Sequence, residues 1–145
     1  MSRSSTPSVD VRGPRFAAWV TSAVLALALL LGSGWVVAAQ AAVFAVGALA
    51  GMRWAPYGVV FRVLVAPRLG PAREREPEAP LRFAQLVGLL FALVGAAGYL
   101  LGAPVLGAVA TGLALVAALL NAATGFCLGC ELHLLLRRAV PAGTA

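Results

Sequence analysis

The sequence predicts an all-α polytopic membrane protein with four transmembrane helices, and three observations carry that expectation. Hydrophobic residues make up 61% of the chain and charged residues 11%, whereas soluble domains carry roughly 45–50% and about 25%. The apolar residues fall into long runs broken by short Gly- and Pro-containing connections. The arginines, with no lysine among them, are confined to segments between or beyond those runs. A net charge of +6 would suggest nucleic acid in a soluble protein. Here it reads as a topology signal and contact with anionic lipid, because no basic helix with interleaved aromatics is present.

Residues 1–15 are polar, small or flanked by Gly13 and Pro14, and are expected to be a disordered cytoplasmic N-terminus. Phe16 to Leu31 is the first predicted span, near the lower limit of roughly 17–25 residues, with Arg15 able to snorkel. A secretory signal peptide is the competing reading, from the basic start and the Ala-Ala-Gln-Ala that follows. Apolar character resumes directly after Gly32-Ser33-Gly34, which favours a tight connection into a second span over 35–52. Trp35 and Trp54 bracket that span as an aromatic belt would. Gly47 and Gly51 form a GxxxG pair suited to close helix approach, and Gln40 is its isolated polar residue, read as an interhelical hydrogen bond or a substrate contact.

The connection over 53–82 is expected on the cytoplasmic side. Within it Tyr57 to Leu69 is apolar, interrupted by Arg62 and too short to cross, so it reads as interfacial or re-entrant. Ala72 to Glu78 alternates Arg with Glu and reads as a solvated linker or a docking site for a soluble partner. A third span covers 83–101, and Gly102-Ala103-Pro104 turns the chain into a fourth over 105–126. Apolar character continues to Leu136. If helical throughout, that run rises about 48 Å against about 30 Å of hydrocarbon. Cys127 to His133 therefore falls at headgroup depth, and 139–145 is a short tail.

With four spans both termini and the long connection share one face, and every arginine lies there. The positive-inside rule makes that face cytoplasmic, in the inner membrane of a bacterial cell. The two cysteines and the single histidine travel with it into a compartment that keeps thiols reduced.

The candidate chemistry is Cys127, Cys130, Glu131 and His133. Cys-x-x-Cys on a helix brings the two Cβ atoms within roughly 5–6 Å, close enough for reversible disulfide exchange. In that reading Glu131 or His133 moves protons. Two helix geometries compete. In a continuous fourth helix Cys127 sits in the C-terminal half, where the dipole opposes a thiolate; if Ala123-Thr124-Gly125 breaks the helix, Cys127 begins a new one and its thiolate is favoured. The helix formers before Gly125 favour continuity. As metal ligands Cys127, Cys130 and His133 would fan over roughly 120° of one helix, with no further Cys or His to complete a site, so no metal and no cofactor is expected. The bland alternative makes both cysteines packing residues, pairs Glu131 with an arginine and leaves His133 at the interface. Asn121 and Thr124, one turn apart and able to share a face with Glu131, would line a polar pocket, with Gln40 as a further polar contact.

The order of features resembles a family of short, mainly actinobacterial, four-helix integral membrane proteins catalogued as a domain of unknown function. The residues carrying the likeness are VDVRGPRFAA, RWAPYGVVFRVLVAPRLGP, RFAQLVG and GFCLGCE, the last holding a Phe-Cys-x-Gly-Cys-Glu motif. The resemblance covers about Val9 to Arg138 and implies the membrane architecture. It carries no activity. A fold-level analogy to DoxX-like and vitamin K epoxide reductase-like membrane proteins adds modestly to a thiol role. The expected partners are the lipid bilayer, a cytosolic thiol or sulfur-carrier protein, and possible further copies of the chain. Solute transport and a non-catalytic scaffold are the alternative functions.

Overall fold

A computed structural model of the chain describes residues 8–71 and 74–139. The expected N-terminal disorder at residues 1–7 and most of the expected tail, 140–145, lie outside the described residues. Helices dominate, as composition requires: α1 (Arg12–Leu31), α2 (Gly34–Ala45, continued by a π-helical turn over Val46–Ala50), α3 (Pro56–Val60), α4 (Ala66–Leu69), α5 (Glu78–Leu100), α6 (Pro104–Thr124) and α7 (Leu128–Ala139). A π-helical turn, Phe61–Val65, joins α3 to α4. Helices α1, α5 and α6 are long and apolar enough to cross a membrane, while Gly34–Ala50 is a shorter apolar helix.

The four long helices form an antiparallel ring in which α1 and α5 each pack against both α2 and α6. Its interior is mostly alanine, with a few larger side chains such as Leu25 and Phe44. Ala28, Val37, Ala41, Phe44, Ala92 and Ala96 form one buried cluster, while Leu30 is 85% exposed and Trp35 74%. In water that distribution would be upside down. In lipid, leucine gains nothing by leaving the tails, so close packing of small residues holds helices together. Helices α5 and α6 approach most closely where two glycines meet. A Cβ on Gly98 would stand 2.5 Å from the Gly107 nitrogen, so neither position has room for a side chain.

Residues 8–15 depart from the expected disorder. Ser8–Asp10 is a strand, β1, paired antiparallel with β2 (Arg75–Pro77), with Val9 opposite Glu76. Arg75 reinforces the pair by donating to Ser8 Oγ at 3.0 Å and to the Ser8 carbonyl at 2.9 Å. The solvated-linker expectation is therefore corrected for residues 75–77, while 72 and 73 lie outside the described residues. The third long helix also starts earlier than the predicted boundary, at Glu78 rather than 83, because Glu78 finds a partner there: its Oε2 accepts from the Met52 N–H at 2.7 Å. Gly51 does not extend a GxxxG packing face. It ends the second helix with φ 109°; Gly47 lies beside Gln85 within α5, and Gly51 lies beside the Glu78 side chain at the start of α5.

Candidate thiol site at the charged end

The largest correction falls on the final apolar run. It is two helices, not one. Helix α6 stops at Thr124, and Gly125 takes the left-handed conformation with φ 79° and ψ 1°, which glycine adopts without steric cost. Thr124 closes the stop locally: its hydroxyl donates to the Leu120 carbonyl at 2.5 Å and accepts from the Phe126 N–H at 3.2 Å. The chain restarts as α7 at Leu128. Helix formers before Gly125 fix where α6 can run; they say nothing about the residue that must reverse φ.

That restart gives the Phe-Cys-x-Gly-Cys-Glu segment a physical reading. Cys127 stands at the cap position of α7, and its sulfur accepts the backbone N–H of Cys130 at 3.2 Å, as an Asn or Ser oxygen does at an ordinary helix start. Gly129 lies on α5 so closely that a Cβ would come within 2.6 Å of both Cα and Cβ of Ala84. The glycine between the cysteines is thus what seats α7 on the bundle. Cys130 completes the first turn, and Glu131 follows at the positive end of the helix dipole. The Cα atoms of Cys127 and Cys130 are 5.2 Å apart, and the two sulfurs are joined as a disulfide. The expectation of reduced thiols on this face therefore meets an oxidised pair.

Two cavities, each of about 320 Å³, meet at Cys127. The polar one is lined by both cysteines, Glu131, Asn121, Arg15 and Glu76. The apolar one runs between α1, α5 and α6, past Phe91, Leu113 and Ala117, and reaches Cys127 from the bundle interior. Asn121 borders both. Arg15 is fixed by donating to the Ala122 carbonyl at 2.9 Å, so it completes the end of α6 while facing the polar cavity. Glu76 is half-buried, and burial followed by the nearby Glu74 charge pushes its carboxyl above the ordinary range. It lines the same cavity as the sulfur pair, brought there by the strand pairing of β1 with β2.

The predicted site residues separate accordingly. Cys127, Cys130, Glu131 and Asn121 come together. Thr124 is spent on the helix stop, and Gln40 is 1% exposed. Its Oε1 accepts from the Tyr57 hydroxyl at 2.7 Å and its amide donates to Thr21 Oγ1 at 3.5 Å. It ties α2 to α1 and α3, away from the sulfurs. His133 packs its ring against Phe83, centroids 5.4 Å apart. Its Nε2 is buried without a hydrogen-bond partner among the described residues, and it borders neither cavity. Glu131 forms no ion pair with an arginine among the described residues. No cluster of potential metal ligands occurs among them either.

Sequence reasoning missed Glu76 and Arg15. Glu76 sits in a charged run that looks solvated, and only its register opposite Val9 reveals that it turns inward. Arg15 looked like a snorkelling flank, and its acceptor lies more than a hundred residues away.

Comparison with known proteins agrees with the noted resemblance on one point, a family of unknown function over nearly the same residues. A family profile described as a domain of unknown function, DUF4395, matches residues 9–138. No curated protein and no solved structure gives a significant match. The matched span takes in β1, all four long helices and the cysteine-bearing α7, nearly the whole chain, and its apolar helices mark a membrane protein: the chain belongs to the DUF4395 family.

Proposed function

We propose that the protein is an integral membrane component of thiol–disulfide handling that exchanges electrons with a soluble thiol carrier through Cys127 and Cys130. The observation that carries this reading is the placement of the pair: Cys127 caps α7, and both sulfurs border a polar cavity shared with Glu76 and Glu131. A helix N-terminus favours thiolate over thiol, and the thiolate is the attacking species. In the reduced protein Cys127 is therefore the nucleophile and Cys130 the resolving residue.

The exchange balances without a further reactant. The Cys127 thiolate attacks one sulfur of the carrier's disulfide. A bond forms between Cys127 Sγ and that sulfur, and the carrier's second sulfur leaves as a thiolate that takes a proton from water. Cys130 then passes its proton to the Glu76 carboxylate and attacks Cys127 Sγ. The intramolecular disulfide forms as the bond between Cys127 Sγ and the carrier breaks; the released carrier sulfur leaves as a thiolate, takes the proton held by Glu76, and the carrier departs as a dithiol. Two electrons have moved from protein to carrier, and the reverse sequence reduces the protein. Because the segments carrying arginine gather at this end, the positive-inside rule assigns the site to the cytoplasmic face of a bacterial inner membrane, with four spans and both termini cytoplasmic. In that frame α3, α4 and α7 lie at the interface.

Substitution tests the order of attack. Cys130→Ser leaves the nucleophile without its resolving partner and is expected to accumulate a reducible, covalent adduct with a cytosolic protein. Cys127→Ser is expected to accumulate none. Absence of an adduct in Cys130→Ser, together with cysteines that resist alkylation in intact membranes after reduction, would overturn the reading.

A further inference from the structure

A third cavity, of about 550 Å³, lies at the same end of the bundle but away from the sulfurs, between β1, α1, the end of α2 and the start of α5. Four guanidinium groups line it, those of Arg53, Arg62, Arg75 and Arg82, against two carboxylates, Asp10 and Glu78. The two carboxylates offset that charge only in part, and the Arg75 charge also helps to hold Asp10 ionised. Asp10 is taken by Arg12, whose Nη2 stands 2.7 Å from Oδ2 and whose hydrogen bonds hold the Asp10 carboxyl below its ordinary range. Glu78 accepts the neutral Met52 N–H and keeps its charge, so the lining sets four guanidinium groups against one carboxylate that no arginine pairs with among the described residues.

The four arginines, meanwhile, bond only neutral groups among the described residues. Arg82 donates to the carbonyls of Ala48 and Leu49, Arg75 to Ser8 and Arg62 to the Arg53 carbonyl. The Arg53 guanidinium lies over the Trp54 ring, 5.4 Å from its centroid. Each guanidinium carries five donors, so these contacts leave both donors and positive charge unspent. The deeper wall is apolar, with Ala17, Val43 and Phe61. Beside the mouth, the surface segment from α3 to α4 exposes Val60, Val63, Leu64 and Leu69.

We infer that this cavity binds the phosphate of an anionic phospholipid headgroup. The phosphate oxygens would meet the planar forks of Arg53, Arg62 and Arg75, a geometry that suits bidentate recognition. The acyl chains would lie along the apolar segment beside the mouth. Basic pockets at the cytoplasmic ends of transmembrane helices take headgroups in this way. A free phosphate shares the same chemistry without the chains, and the apolar apron is what favours the lipid. The inference uses the membrane reading but none of the cysteine chemistry, so it stands or falls separately from the thiol proposal.

Trp54 lines the cavity and reports on it directly. Trp19 and Trp35 are the other tryptophans, so the Trp19→Phe/Trp35→Phe protein, held in neutral detergent, leaves a single emitter. Titration with short-chain phosphatidylglycerol is expected to give a saturable change in Trp54 emission. Short-chain phosphatidylcholine should give none, and inorganic phosphate a response at least tenfold weaker in concentration. In the full wild-type chain, native mass spectrometry should find phosphatidylglycerol retained after purification, and Arg53→Gln/Arg75→Gln should lose it while keeping its thermal unfolding transition. Equal responses to the two lipids, equal affinity for phosphate and lipid, or undiminished retention in the double variant would each overturn the assignment. Should that double variant unfold, the comparison of the three titrants on the single-tryptophan protein decides alone.

Discussion

The two ends of the bundle are finished in opposite ways. At the uncharged end both turns close on themselves. Gly32 is left-handed with φ 59°, the Gly32 and Ser33 N–H groups return to the Leu29 and Ala28 carbonyls, and Ser33 Oγ caps α2 by accepting from Val36. Across the ring, Ala103 returns to Gly98 at 2.7 Å, and Pro104 starts α6 without needing an acceptor. At the charged end local bonds are only part of the closure: Thr124 and Gly125 return to the Leu120 and Asn121 carbonyls, and the remaining carbonyls look further afield. The carbonyls that end α2 are satisfied by Arg82 of α5, and those that end α6 by Arg15 of α1. Each arginine stands at the start of one helix and completes the end of its antiparallel neighbour. A local turn leaves no room for anything else; long-range caps hold the helix ends apart and leave three cavities between them. The chemistry-bearing residues lie at the end that is open in this sense.

The largest expected effect comes from removing a long-range cap. Arg82→Met keeps the apolar stem but leaves the Ala48 carbonyl without its two donors and Leu49 without one. An unsatisfied buried acceptor costs about 1–3 kcal/mol. Ser33→Ala at the other end removes one capping bond, typically worth about 1 kcal/mol. Equilibrium unfolding in detergent should therefore rank Arg82→Met as the more destabilised. The reverse order would mean that the local turns, not the arginines, hold the bundle's ends.

A second prediction concerns proton exchange in the polar cavity. Glu76 has its carboxyl raised by burial and by Glu74, so the folded protein binds its proton more tightly than the unfolded chain does. Its contribution to stability is present at low pH and is lost as pH rises from the ordinary value of 4.5 through the raised one. Above that window the ionised carboxylate also opposes a thiolate in the same cavity. Glu76→Gln should remove both effects: stability should fall less as pH rises toward neutrality, and after reduction Cys127 should alkylate several-fold faster near neutral pH. An unchanged alkylation rate and an unchanged pH profile would place Glu76 outside the sulfurs' electrostatic reach.

What could be read from the sequence follows the same division. The helices of the ring were legible as apolar runs because lipid selects composition residue by residue, but the start of α5 at Glu78, ahead of its apolar run, was not. The uncharged turns were legible as well: Gly32-Ser33 and Gly102-Ala103-Pro104 are local signals with local causes. The charged end depends on partners far apart in the chain. Nothing near Val9 announces that it faces Glu76, and a three-residue strand carries no usable alternation. Gly125 was the hardest residue. In an Ala- and Gly-rich apolar run a glycine ordinarily serves packing, as Gly98 does, and the need for a positive φ shows only once α7 is found lying on Ala84. Yet the motif held a clue: a glycine two residues before a capping side chain is the pattern of one helix ending and another beginning.

Two glycines turn the comparison into a controlled experiment. Gly32 and Gly125 share the left-handed conformation, and around both a Cβ would meet nothing within 4 Å. Alanine at either place therefore carries only the conformational cost, about 1 kcal/mol, and the two single variants should lose similar stability. Their effects on the sulfurs should differ. Gly32→Ala disturbs an end that holds neither a charged residue nor a cysteine, so the redox equilibrium of Cys127 and Cys130 against a glutathione buffer should match the wild type. Gly125→Ala pulls Thr124 to Cys127 toward continued helix, which takes Cys127 out of the cap of α7 and its sulfur away from the Cys130 N–H. The pair's equilibrium and the alkylation rate of Cys127 should both move. Equal behaviour of the two variants toward glutathione would separate the helix break from the thiol chemistry, leaving Gly125 a hinge of the fold and nothing more.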